Sequence, residues 1–188
     1  MLLHSQRLAI NTHKPQLPSS QTTKPNMAPS TTSLTILFLT TLAIFHPSFA
    51  QNSPKDFLNA HNVVRAELDI PPLTWNASVA AYANHYAVKR SADCALEHSM
   101  NPDYGENIAE GFGDEFSGAD AVKMWASEKP NYDYHSNSCV GGECLHYTQV
   151  VWRKTEQIGC AKVRCQNKWW FVTCNYYPPG NYEGERPY

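Results

Sequence analysis

The chain has 188 residues, six cysteines and a formal net charge of −2, room for one ordinary domain plus extra N-terminal sequence. Without the first fifty residues, Lys plus Arg falls from 15 to 12 (Arg7, Lys14 and Lys24 are lost) while Asp plus Glu stays at 17, so the charge becomes 12 − 17 = −5. An acidic, unclustered surface argues against nucleic acid as a partner and against strong attraction to anionic membranes.

Residues 1–26 are polar, contain Pro and Thr, and precede a second methionine, Met27. They read as an upstream extension outside the fold. Residues 27–50 read as a secretory signal: a short apolar run over 34–45, then Ser48-Phe49-Ala50 with small residues at −3 and −1 of a cut before Gln51. The run is too short to span a membrane. Residues 51–188 form the expected domain, with 178–188 as a C-terminal arm.

Ser53-Pro54 reads as an N-cap with proline at the first helical position, and Phe57, Ala60, Val64 and Leu68 recur at helical spacing, which predicts a helix over 54–67 ended by Ile70-Pro71-Pro72. Val79, Tyr82, Ala83 and Tyr86 share a face of a second helix over 78–90. A short helix led by Gly105 is expected over 104–110. Ser117 caps a further helix, with Asp120 as capping-box partner and Ala121, Val122 or Met124, and Trp125 as its apolar stripe. Residues 129–144 read as loop. The period then alternates, and 146–152, 157–165 and 168–174 read as strands, with Gln166-Asn167 as a hairpin turn. The end of the chain is extended and polar. Helices first and strands later predict an α+β domain with an antiparallel sheet, and about 138 residues suffice for one real core.

All six cysteines (Cys94, Cys139, Cys144, Cys160, Cys165, Cys174) follow the signal-like segment. An even set in that context predicts three disulfides, with fifteen pairings open. The competing reading is zinc ligation by Cys139-x4-Cys144 and Cys160-x4-Cys165. Asn76-Ala77-Ser78 is a glycosylation sequon whose Asn76 is also placed to open a helix.

Four residues carry the candidate chemistry: His98, Glu106, Glu128 and His146. They lie in Glu97-His98-Ser99, Gly105-Glu106-Asn107, Trp125-Ala126-Ser127-Glu128 and His146-Tyr147-Thr148-Gln149-Val150-Val151-Trp152. Glu106 is expected near a helix start, where the dipole favours a carboxylate. Glu128 is expected to share a helix face with Trp125, and His146 to begin a strand. Three readings are open. The imidazoles can ligate a divalent ion such as zinc, with a glutamate or water completing the shell. A His–Glu pair can do acid/base work, with Ser99 as nucleophile. Or four polar residues satisfy one another and pin loops across a cleft. His61, His85 and His135 are expected to be ordinary surface or partly buried side chains, and of Trp169 and Trp170 one is expected in the core.

These phrases, with Phe171-Val172-Thr173-Cys174-Asn175-Tyr176-Tyr177-Pro178-Pro179-Gly180-Asn181-Tyr182, resemble the signature segments of the CAP superfamily, and most closely the plant pathogenesis-related protein 1 family. The resemblance runs from about Gln51 to Tyr188. It implies a three-layer α-β-α sandwich, disulfides Cys94–Cys165, Cys139–Cys144 and Cys160–Cys174, and convergence of the four His/Glu residues on one cleft. It implies a secreted, apoplastic rather than vacuolar, monomeric defence protein that sequesters sterol from fungal and oomycete pathogens. No cofactor is required and no agreed enzymatic reaction defines the family, which weighs against catalysis. Tyr132 and Tyr134, in a Tyr-rich loop, are the candidate lipid-groove residues. The alternatives are release of 178–188 as a defence-signalling peptide, or a metal-dependent hydrolase. Two positions depart from the family. Leu145 precedes His146 where Gly or a charged residue is usual, and is expected to narrow or dry the cleft, raising the pKa of a Glu there. Tyr177 stands where Asp is common, which puts peptide release in doubt.

Overall fold

The computed structural model describes residues 52–188. The upstream extension, the signal and the cleavage site lie outside the described residues.

Helix α1, Pro54–Ala66, starts as its sequence dictates: the Ser53 hydroxyl accepts from the Asp56 N–H and the Asp56 carboxylate accepts from the Ser53 N–H, a complete capping box. Strand β1, Thr74–Trp75, leads into α2, Ala77–Arg90, whose N-cap is Asn76. Strand β2 is Gly105–Gly111 and α3 is Gly118–Ala126, capped by the Ser117–Asp120 box. A 3-10 turn, Lys129–Asn131, precedes a small ribbon of β3, Tyr132–Asp133, and β4, Ser138–Cys139. Helix α4, Leu145–Val150, is followed by β5, Gln157–Arg164, and β6, Trp170–Tyr177.

Two expected elements exchange identity. Residues 104–110 form strand β2, paired antiparallel with β6 from Gly105↔Tyr176 to Gly111↔Trp170. A ladder with a distant strand overrides the helix-forming Glu and Ala in Gly-Glu-Asn-Ile-Ala-Glu-Gly. Conversely, 146–152 forms α4 and its exit. Tyr147, Thr148, Gln149 and Val150 are all buried, so burial on every side leaves no periodicity to read. The expected loop over 129–144 contains the 3-10 turn and the ribbon.

The main sheet has the order β1-β5-β6-β2. It is mixed rather than antiparallel, because β1 runs parallel to β5 through Thr74↔Gln157 and Trp75↔Ile158. Alternate residues feed two cores. Ile158, Cys160, Val172, Cys174 and Tyr176 join Phe57 of α1, Val122 and Trp125 of α3 and Tyr147 of α4. Ala161 and Phe171 join Ala83, Tyr86 and Ala87 of α2. Trp169 and Trp170 are both half-buried, neither being the core tryptophan expected. Trp169 packs on Phe112, and Trp170 carries the Lys162 ammonium 3.8 Å above its ring.

The disulfides are Cys94–Cys165, Cys139–Cys144 and Cys160–Cys174, with no free cysteine among the described residues. They fasten the β5–β6 hairpin to the segment after α2, close the loop into α4, and staple β5 to β6.

Candidate functional site: two histidine–glutamate pairs and an aromatic slot

The four His/Glu side chains form two pairs of the same design. Glu106 accepts from His98 Nδ1 at 2.9 Å and from the Ser99 N–H at 2.8 Å through Oε1, and Asn175 Nδ2 donates to its Oε2 at 3.1 Å. Glu128 accepts from His146 Nδ1 at 2.7 Å through Oε1, and from the His146 and Tyr147 N–H groups at 3.0 and 3.2 Å through Oε2. In each, the carboxylate fixes the ring nitrogen Nδ1 and a neighbouring backbone N–H. A neutral imidazole so held presents the Nε2 lone pair away from its glutamate.

The elements that place these groups differ from those expected. Glu106 is the second residue of β2, opposite Asn175 of β6, not at a helix start. Glu128 lies just beyond α3, where the helix has closed at Ser127, so it does not share a face with Trp125. That displacement lets it act as a remote cap for α4, whose own N-cap, Cys144, makes no side-chain capping bond. His146 belongs to this helix, and the Trp125 ring stacks on its imidazole at 6.4 Å and 16°.

Gly105, next to Glu106, lets β2 pack closely on α4, since a Cβ there would lie 2.1 Å from Gln149 Oε1. The next contact is Asn107, whose Nδ2 donates to the His146 carbonyl at 3.0 Å and to Tyr176 Oη at 3.2 Å. Tyr176 Oη in turn lies 2.8 Å from His61 Nε2, while His61 Nδ1 is 2.8 Å from the Phe57 carbonyl. A carbonyl only accepts, so Nδ1 carries the proton and Nε2 accepts from the tyrosine. His61, expected at or near the surface, is 0 % exposed, and burial pushes its pKa down to about 4. It is a buried strut behind the site. His85 and His135 are exposed.

Burial alone would raise the Glu106 carboxyl, but hydrogen bonds from His98, Ser99 and Asn175 outweigh it and hold it below the usual range. This is opposite to the direction expected for a dried cleft. Leu145 lies elsewhere: its side chain is 39 % exposed and borders the cavity described below. Ser99 bonds Glu106 through both its N–H and its hydroxyl. The Ser–His hydrogen bond that nucleophilic catalysis needs is not among the contacts of the described residues.

As a metal site, this donor set offers His98 and His146 through Nε2. Glu106 and Glu128 are turned to the Nδ1 side, as orienting groups rather than ligands. Accordingly, among the described residues no three His, Cys, Asp or Glu side chains are grouped to hold an ion. An ion held there would rest on the His98 and His146 Nε2 atoms alone among these four residues, and would supply Lewis acidity.

Tyr132 and Tyr134 come together in an aromatic cluster. Their rings are 6.5 Å apart, with Tyr147 6.3 Å from Tyr132. Tyr188 from the C-terminal arm stacks on Tyr134 at 5.3 Å and 21° and meets Tyr132 at 6.1 Å. Tyr147 and Tyr132 have their hydroxyl pKa values raised by burial. A 230 Å³ cavity beside the cluster is bordered by Tyr132, Leu145, Thr148 and Trp152 and by the arm. The Trp152 indole N–H is buried and has no partner among the described residues. A larger open groove of 660 Å³ gathers Tyr104, Tyr177 and Tyr182 with Pro178 and Pro179. It is not legible in the sequence, because its walls come from the start of α2, the segment before β2 and the end of β6 with the arm. Asn76 also lines it, with Oδ1 capping α2 and Nδ2 donating to Gln157 at 2.6 Å.

Comparison with known proteins agrees with this geometry. The model of the cysteine-rich secretory protein (CAP) family matches residues 58–176, and the chain belongs to that family. Within it, the chain is similar to plant pathogenesis-related proteins of type 1. It is 53 % identical over 157 residues to the basic form of pathogenesis-related protein 1 of Nicotiana tabacum, covering 84 % of this chain and 88 % of that one. It is 51 % identical over 157 residues to the PR-1 type protein of Sambucus nigra, covering 83 % and 94 %. Among solved structures, venom allergen-like protein 4 of Schistosoma mansoni superposes with a TM-score of 0.59 at 29 % identity, covering 71 % of this chain and 92 % of that one.

Proposed function

We propose that this is a secreted plant defence protein, a three-layer α-β-α scaffold that takes up a sterol or similar flat lipid and so limits fungal and oomycete pathogens. The observation that carries the lipid reading is the slot of Tyr132, Tyr134 and Tyr147 beside a cavity that Tyr132, Leu145 and Trp152 help to line. A flat fused ring system suits stacked rings and apolar walls. Three disulfides and the pathogenesis-related names of its relatives support secretion to the apoplast. Among the described residues no helix is long and apolar enough to cross a membrane. Titration with a fluorescent sterol tests the reading: Tyr132→Ala/Tyr134→Ala should lose most of the affinity, and unchanged affinity would sink it.

The paired imidazoles support a second reading, divalent-metal binding. Zinc uptake measured by calorimetry should vanish in His98→Ala/His146→Ala and persist in Glu106→Gln with lower affinity. Equal uptake by all three proteins would remove the site. Release of 178–188 as a signalling peptide is less favoured, because the Tyr177 carbonyl accepts from the Glu156 N–H and the Pro178 carbonyl from the Thr155 hydroxyl on either side of the scissile bond. Mass spectrometry of secreted fluid should then find chains ending at Tyr188 and no eleven-residue fragment.

A further inference from the structure

We propose that Tyr188 is a displaceable plug in the aromatic slot, so that the lipid site opens when this one ring leaves. The inference rests on the lipid reading above and names the regulation of that site. The arm is anchored along its length. Gly180 donates to Gln149 Oε1 at 3.1 Å, Asn181 Nδ2 to the Leu145 carbonyl at 2.8 Å, and the Arg153 N–H to the Pro187 carbonyl at 2.7 Å. The last anchor lies one residue before the end. Beyond it, Tyr188 stacks on Tyr134, meets Tyr132 edge-on, makes a 3.4 Å hydroxyl contact with Tyr147 and packs half-buried at the margin of the main core. The ring can therefore swing out while the arm stays attached.

The stack argues that it must. Tyr188 lies parallel to the Tyr134 ring at 21° and against Tyr132 at 68°, so it holds the Tyr134 face on which a flat ligand would stack. Moving one phenol ring frees that face. The occluded form is the ground state, and the apparent affinity is the intrinsic affinity scaled by the open fraction.

Tyr188→Ala and Tyr188→Phe in the otherwise unaltered protein test this, with melting temperature as a folding control. Two ring contacts of ordinary strength imply that Tyr188→Ala binds a fluorescent sterol about five- to fiftyfold more tightly than the natural chain. Tyr188→Phe, which keeps the ring, should bind as the natural chain does. Where the natural chain binds sterol, an equal or weaker affinity in Tyr188→Ala overturns the plug. An apolar dye such as anilinonaphthalene sulfonate, titrated in parallel, separates the two claims. If no form binds sterol but Tyr188→Ala alone gains dye binding, the plug stands and the sterol reading falls. If neither probe responds to Tyr188→Ala, the plug is overturned.

Discussion

Acid should destabilise this fold through His61, and the size of the effect follows from its burial. The side chain is fully enclosed between α1 and β6, its pKa lowered from 6.5 to about 4 by desolvation. The native state needs the neutral ring, because Nε2 must accept from Tyr176 while Nδ1 donates to Phe57. Above about pH 6.5 both the folded and unfolded forms are neutral, and the contribution is complete. Between about 6.5 and 4 the unfolded chain binds one proton more than the native one, so stability falls as pH falls, by about 1.4 kcal/mol per pH unit. The cumulative loss by pH 4 is about 3 kcal/mol, a large share of the 5–15 kcal/mol typical of a domain. Carboxylates with lowered pKa, such as Glu106, Asp56 and Asp120, add their own loss as pH falls through their folded values. They are common to the natural chain and to His61→Phe, so the difference between the two isolates the histidine. Urea unfolding from pH 7 to 4 should show His61→Phe less stable at pH 7, with the gap closing by about 3 kcal/mol at pH 4. A gap that stays constant across that window would refute the reasoning.

Arg65 is also 0 % exposed and donates to four carbonyls, those of Pro71, Val150, Trp152 and Thr155, with burial lowering its pKa to about 10. Arg65→Lys cannot reach all four. With two carbonyls orphaned at about 1–3 kcal/mol each, it should lower the melting temperature by roughly 10 °C; a change within 2 °C would show that those carbonyls find other partners. Removing disulfides one at a time should follow their sequence separations of 71, 14 and 5 residues, costing about 4, 3 and 2 kcal/mol for Cys94–Cys165, Cys160–Cys174 and Cys139–Cys144; chemical denaturation of the three Cys→Ser pairs checks the order. Gly159→Ala would place a Cβ 2.0 Å from the Ala80 backbone nitrogen, so it should cost several kcal/mol and yield little soluble protein, whereas near-normal expression and stability would mean that α2 can retreat from β5.

The parts of the fold legible in the sequence were those set by local chemistry. Ser53 and Ser117 declared their helices because a capping box is written within four residues. Strands β5 and β6 showed through their alternation. What failed was decided at long range. Thr74–Trp75 becomes a strand only because β5 lies parallel beside it. Residues 105–111 become one only because β6 offers a ladder, and α4 is buried too completely to show a polar face. The candidate site was legible as four residue types but not as two pairs. Glu128 reads as a helix-face residue until α3 is seen to stop at Ser127 and leave it free to cap α4. The aromatic slot was half visible: Tyr132 and Tyr134 stand together in the chain, whereas Tyr188 reaches them only through an arm whose path depends on Gln149, Leu145 and Arg153.

The most direct test of the lipid-binding account is a titration of the chain lacking residues 1–50 with a fluorescent sterol, in the presence of zinc and again in chelator. The account predicts saturable binding of equal affinity under both conditions, because the slot of Tyr132, Tyr134 and Tyr147 shares no side chain with the His98–Glu106 and His146–Glu128 pairs. Absence of sterol binding together with stoichiometric zinc uptake would contradict it and place the activity at the paired imidazoles.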